Sequence, residues 1–157
     1  TRESPTFLRA TPKDCHASNG GAENAVGRLA RWIRINKNAV EQRYGITIGT
    51  EHHLLPWLVR HAAWFITRFS AGPDGKSPFY KQSGREYKGD LVSFAEHIMA
   101  RAPGPHRTKL KSNWLRGIWP GRSTKTDEHL IATAEGVVMC RSIRRLPADR
   151  RFDKQVL

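Results

Sequence analysis

The sequence has few cysteines, no long apolar run and no recognisable leader, and each absence excludes a class of protein. Its two cysteines, Cys15 and Cys140, are too few and too far apart for a disulfide framework, so we expect reduced thiols and an intracellular protein. No apolar run reaches the roughly 18 residues that span a bilayer, so we expect no membrane partner. Thr1–Pro5 leads into no apolar core and predicts no signal peptide. Because the chain begins with Thr rather than Met, we expect it to be an excised or incomplete piece of a longer protein.

Acidic residues are also scarce. The chain has 14 Asp and Glu against 27 Lys and Arg, and its formal net charge is +13. This excess favours a polyanionic partner, nucleic acid ahead of a membrane surface. The alternative is a basic surface that only aids solubility. The seven histidines lack the spacing of metal ligands, so they indicate structural or surface positions.

The first half of the chain predicts two helices. The first begins at Ser18 or Asn19, either of which can cap it, and ends at Gly45. The second runs from about His52 to Phe69 and is apolar around much of its circumference, which predicts burial. The apolar stripe of the first helix includes Ala22, Val26, Leu29, Ile33, Val40 and Tyr44. Its opposite face carries Glu23, Gly27, Arg31, Arg34, Lys37, Asn38 and Glu41.

After about Gly89 the pattern changes to short strands. Pro120-Gly121 breaks one of these strands, and Glu135-Gly136 forms the turn of a hairpin. Four or five short strands predict a small SH3-like β-barrel, and the fold class is therefore α+β. The cations after the last strand predict a solvated, partly disordered arm that touches nucleic acid. They are Arg141, Arg144, Arg145, Arg150 and Arg151.

Several segments together resemble the integrases of retrotransposons and retroviruses. Ser18-Asn19-Gly20-Gly21-Ala22-Glu23 is similar to the family's Ser-Asn-Gly-x-x-Glu stretch, which opens the helix bearing the last acid of an Asp, Asp, Glu triad. Residues 55–63 look like the following core helix, and residues 74–80 resemble the segment after the core. The stretch from Lys109 to Gly121 is similar to the opening of the family's C-terminal barrel. These segments resemble the family in their order and spacing, and together they cover residues 11–150.

The resemblance implies a domain organisation. Residues 1–70 would be the C-terminal fragment of an RNase H-like catalytic core, which contributes two long helices. Residues 71–88 would be a linker, 89–146 the SH3-like barrel and 147–157 a basic tail.

The resemblance also implies metal-dependent DNA strand transfer. Family integrases use two divalent cations, Mg²⁺ or Mn²⁺, held by three carboxylates. Glu23 is the implied ligand and catalytic residue, although an acid in a helix's first turn also stabilises the helix dipole. The two Asp ligands should lie upstream, and Asp14 is too close to Glu23 to be one of them. We therefore expect this chain alone to bind no metal and to have no strand-transfer activity.

Nucleic-acid contacts are expected on the first helix and at the start of the barrel. The side chain of Asn19 would either touch DNA or cap the helix. The cations would either contact phosphates or form a solvated face. The candidate residues are Asn19, Arg28, Arg31, Arg34, Lys37, Lys109 and Lys111.

The implied partners are DNA and the remainder of the integrase or polyprotein, with a homo-oligomer in the parent and action in the nucleus. Two other readings remain open: a non-catalytic basic adaptor that binds nucleic acid or protein, and an RNA-binding component.

Overall fold

A computed structural model describes residues 19–101 and 113–154 of the chain, which form an α+β fold. The helices are α1 (Gly20–Tyr44), α2 (Leu55–Phe69) and α3 (Pro78–Ser83), and a short 3₁₀ turn spans Ala148–Arg150. The strands are β1 (Glu96–Arg101), β2 (Trp114–Arg122), β3 (His129–Thr133), β4 (Gly136–Cys140) and β5 (Ile143–Arg145). The fold class predicted from the sequence is confirmed at this level.

The bounds of α1 agree with the sequence pattern, but its packing is uneven. Gly45 ends the helix in the left-handed conformation (φ 61°), which glycine adopts without a steric penalty. Only Val40 and Tyr44, in the C-terminal half, are buried. Val26 belongs to the same predicted stripe and is 66% exposed. The C-terminal half of α1 therefore packs on the rest of the molecule, while the N-terminal half lies in solvent.

Helix α2 is the central helix of the core. It begins at Leu55, three residues later than expected, because residues 50–54 form turns and Pro56 occupies the first turn of the helix. Leu58 and Ala62 are fully buried, as the pattern predicts. Trp64 is buried as well. The residues predicted to form a linker contain α3, whose first turn is capped by the Ser77 hydroxyl.

The five strands form one antiparallel sheet in the order β4-β3-β2-β1-β5. The hairpin of β3 and β4 confirms the predicted turn at Glu135-Gly136. The predicted break at Pro120-Gly121 is wrong, because β2 continues through both residues to Arg122. The pairing with β3 shifts register between Ile118 and Gly121, so an irregularity accommodates the proline without ending the strand.

The C-terminal cations do not all form a solvated arm, and that prediction is wrong for Arg145 and Arg151. Arg145 donates two hydrogen bonds of 2.7 Å to the carboxylate of Glu96, which is fully buried. Arg151 approaches the same carboxylate at 3.7 Å, and its carbonyl accepts the backbone N–H of His97. A buried carboxylate requires such partners because its desolvation is costly. The chain after β5 therefore returns to the sheet.

The helices and the sheet share one apolar core. Val40 and Tyr44 of α1 and Leu58 of α2 pack against Phe94 and Ile118 on the sheet side. A second cluster lies within the sheet region and is centred on the fully buried Trp119. Trp114, at the start of β2, is only half-buried, with the guanidinium of Arg144 4.3 Å from its ring.

Candidate nucleic-acid interface

The N-terminal half of α1 presents most of the predicted site to solvent. The exposed residues include Asn19, Glu23, Arg28, Arg31 and Arg34. Asn19 occupies the N-cap position, but its side chain makes no capping hydrogen bond. Glu23 lies in the first turn, where its charge complements the positive end of the helix dipole. The side chain of Asn19 is therefore not used to cap the helix.

The predicted cations do not all point the same way. At about 100° per residue, Arg31, Arg34 and Lys37 project within roughly 80° of Glu23 around the helix axis, whereas Arg28 lies about 140° away. A single flat surface therefore contacts the first three more readily than Arg28.

The predicted cations also differ in their electrostatic partners. The Nζ of Lys37 donates to Glu41 at 2.8 Å, and this hydrogen bond is the main reason that the pKa of Glu41 is lowered. Within residues 19–101 and 113–154, Arg28, Arg31 and Arg34 form no ion pair. The arginines are thus the cations of α1 that remain free to contact an anion.

Lys109 and Lys111 lie outside the described residues, so their predicted role is neither supported nor weakened. Cys15, the first cysteine, lies outside them as well. Cys140 is free and buried, and burial raises the pKa of its thiol.

The buried histidines have structural positions, as their spacing indicated. Nδ1 of His129 accepts a hydrogen bond of 3.1 Å from the indole of Trp119, and burial lowers the pKa of His129 to about 4. His97 accepts the backbone N–H of Asp153. In the described part of the chain, no group of three or more His, Cys, Asp or Glu side chains could hold a metal ion. Glu23 is thus a single carboxylate, and its role as a metal ligand stays a prediction.

A second charged centre was not predicted. Asp127 adopts a left-handed backbone conformation (φ 58°). Its carboxylate accepts the hydroxyl of Tyr87 at 2.8 Å and also faces Arg122 at 3.4 Å and Arg68 at 3.7 Å. Arg68 and Tyr87 are distant from Asp127 in the sequence, so no local pattern relates them to it. The available signal was Arg68, one of two arginines in a largely apolar helix.

Comparison with known proteins identifies no relative: no protein-family model, curated protein or solved structure matches this chain. Across the described residues, none of the helices has the length and apolar character needed to cross a membrane.

Proposed function

We propose that the chain is the C-terminal part of a retroelement-type integrase, in which it holds DNA through contacts to phosphates. The observation that carries this proposal is the exposed N-terminal half of α1. It includes Gly20 to Glu23 of the Ser-Asn-Gly-x-x-Glu stretch and bears Arg28, Arg31 and Arg34, which have no anionic partner among the described residues. Unpaired arginines on a chain of net charge +13 favour a polyanion.

The fold is compatible with this assignment. In the proposal, α1 and α2 correspond to the last helices of an RNase H-like core. The sheet corresponds to the SH3-like barrel, since its fifth strand returns to pair with its first. The partners are DNA and the remainder of the integrase, and the site of action is the nucleus.

The catalytic chemistry belongs to the proposed parent protein. Mg²⁺ prefers carboxylate oxygens, so Glu23 is a suitable ligand, but one carboxylate does not complete a two-metal site. Among the described residues, Glu23 belongs to no group of three or more His, Cys, Asp or Glu side chains that could hold a metal ion. In this chain, therefore, α1 binds and orients DNA, and strand transfer requires carboxylates from elsewhere.

The salt dependence of DNA binding tests the proposal. We expect a short fluorescent duplex to bind the full chain with an affinity that falls steeply between about 50 and 200 mM salt and depends little on sequence. Replacing Arg28, Arg31 and Arg34 by Ala should reduce the magnitude of the slope of log K against log salt by roughly 2, because each phosphate contact contributes about 0.9 and Arg28 is the cation that a single flat surface contacts less readily.

The matched control removes the same charge elsewhere, by replacing the exposed residues Arg60, Arg116 and Lys154 with Ala. This variant should change the slope much less, although it lowers the net charge equally. If duplex DNA does not bind at low salt, or if both triple variants lose the same slope, the role of α1 is wrong.

The second candidate function is a non-catalytic basic adaptor. It is favoured by the core that α1 and α2 share with the sheet, as a self-sufficient domain would have. An adaptor should bind its nucleic-acid or protein partner with sharp selectivity, whereas the integrase proposal expects binding to duplex DNA with little sequence preference.

A further inference from the structure

A basic cleft lies at the C-terminal end of α2 and includes the charged centre of Arg68, Tyr87 and Asp127. Its volume is about 570 Å³. It lies between α2, the segment that follows α3 and the β2–β3 loop. The charged residues that line it are Arg68, Arg85, Lys88, Lys125, Glu86 and Asp127. Four cations thus face two carboxylates.

Arg68 is a largely buried cation whose ion pair with Asp127 is long. Its side chain is only 10% exposed, and its guanidinium lies 5.0 Å from the ring of Trp64, 5.2 Å from Tyr87 and 5.7 Å from Phe79. The carboxylate of Asp127 is 3.7 Å away, beyond hydrogen-bond distance, and the buried Nε has no hydrogen-bond partner. Because a buried donor is costly unless it is hydrogen-bonded, this guanidinium is suited to an additional, external anion.

Asp127 does not neutralise the cleft, because its carboxylate already interacts with other side chains. Both carboxylate oxygens accept the hydroxyl of Tyr87, at 2.8 and 3.0 Å, and Arg122 is 3.4 Å away. Burial, followed by this hydrogen bond, raises the pKa of Tyr87 to about 12, so the phenol stays a neutral donor. The contacts hold the β2–β3 loop against α2 and keep Lys125 at the cleft.

The other three cations of the cleft are exposed and unpaired. Arg85, Lys88 and Lys125 form no ion pair with any residue that the structure describes. The Nε–H of Arg68, which has no hydrogen-bond partner, and the charged groups of Arg85, Lys88 and Lys125 provide the donors and the positive charge that bind a phosphate.

The cleft continues into a second one of about 500 Å³, which shares Arg68, Glu86 and Tyr87 with the first. The second cleft adds Lys76, whose Nζ lies 5.2 Å from the ring of Tyr80. A groove of this extent accommodates more than one phosphate, as along a strand, and exceeds the needs of a single small anion.

We propose that this groove binds the sugar-phosphate backbone of a nucleic acid, with one phosphate on Arg68 and flanking phosphates on Arg85, Lys88 and Lys125. The proposal rests on the proposed nucleic-acid binding and adds to it a second contact surface, independent of α1.

The test replaces Arg85, Lys88 and Lys125 with Ala in the full chain. These residues are exposed, so the variant should fold, and its circular dichroism and melting temperature should match the wild type. We expect duplex affinity to fall roughly tenfold or more and the salt slope to lose about 2 to 3 in magnitude. The control is the Arg60, Arg116 and Lys154 triple alanine variant, which removes the same charge outside the groove.

The outcomes separate this proposal from the previous one. If the wild type binds DNA and the groove variant behaves like the control variant, the groove assignment is overturned, while binding by α1 stands. If the wild type binds no DNA, the proposed function itself fails.

A second measurement identifies the source of the phosphate. The ¹⁵N-labelled Nε–H of Arg68 should shift on addition of the duplex at concentrations far below those at which inorganic phosphate has an equal effect. Inorganic phosphate acting at the same concentration as the duplex would overturn the assignment of a nucleic-acid strand as the ligand.

Discussion

His61 is an ionisable residue in an aromatic environment. Its ring centroid lies 5.2 Å from that of Phe94, 5.4 Å from Trp119 and 5.7 Å from Trp64. Its Nδ1 is buried without a hydrogen-bond partner, and burial lowers the pKa of His61 to about 4. The residue is therefore neutral in the folded protein at pH 7, and its protonation opposes folding.

The first prediction concerns the pH dependence of stability. Unfolded histidine has a pKa near 6.5, so between about pH 6.5 and 4 the unfolded chain binds a proton that folded His61 does not. The free energy of unfolding should be at its full value above pH 6.5. It should fall with pH through this window, by about 2 kcal/mol from His61 at pH 5.

Urea unfolding of the variants measures this contribution. The variant His61→Leu should lose about 2 kcal/mol less than the wild type between pH 7 and pH 5. The exposed His53 is the matched control, and His53→Leu should keep the wild-type dependence. Identical pH profiles for His61→Leu and the wild type would contradict the prediction.

At the scale of single elements, β2 and α1 use glycine in opposite ways. Gly117 lies where β2 crosses close to β3: a β-carbon there would be 2.5 Å from the carbonyl oxygen of Ala132 and 2.6 Å from Ile131. Gly27 lies in the exposed half of α1, where a β-carbon would meet no atom within 4 Å. Close strand approach requires the first glycine, and nothing in the packing requires the second.

The second prediction compares the two glycines. Gly117→Ala should destabilise the protein by about 2 kcal/mol or more, because backbone atoms of a neighbouring strand must move. Gly27→Ala should stabilise it by about 0.5 to 1 kcal/mol, since alanine is the better helix former. Melting temperatures of the two variants, which differ from the wild type by one methyl group each, provide the measurement. A Gly117→Ala variant as stable as the wild type would argue against the pairing of β2 with β3.

On the scale of the whole molecule, the core connects the helices to the sheet. The hydroxyl of Tyr44 on α1 donates to the carbonyl of Ala95, the residue before β1. Leu58 of α2 is fully buried in the cluster that contains Phe94 and Ile118. Because these residues lie on both sides of the sequence-predicted linker, helices and sheet should stabilise one another.

The third prediction is that Leu58→Ala lowers the stability of both parts together. The cavity should cost about 3 kcal/mol, and the helical signal in circular dichroism and the tryptophan fluorescence should show the same lower midpoint. Val59, which is exposed on the same helix, provides the control, and Val59→Ala should have a small effect. Two separate transitions would indicate that residues 1–70 and 89–146 fold independently.

Local signals account for what the sequence predicted well. Gly45 ends α1, and Glu135-Gly136 turns the β3–β4 hairpin, because turn chemistry depends on neighbouring residues. Burial along α1 was not predictable, since its period shows which face is apolar but not which half has a partner. The groove at Arg68 escaped prediction because it joins residues from α2, the segment after α3 and the β2–β3 loop. The integrase resemblance, with Glu23 as its main residue, stays a prediction.

The pairing of the last strand with the first has a consequence for biosynthesis. During translation β1 leaves the ribosome well before β5, so one edge of β1 and the carboxylate of Glu96 lack their partners for that interval. An unpaired strand edge can pair with another chain, and contacts between distant segments form slowly. The nascent protein is therefore most prone to aggregation between the synthesis of β1 and that of β5, when chaperones would protect it most.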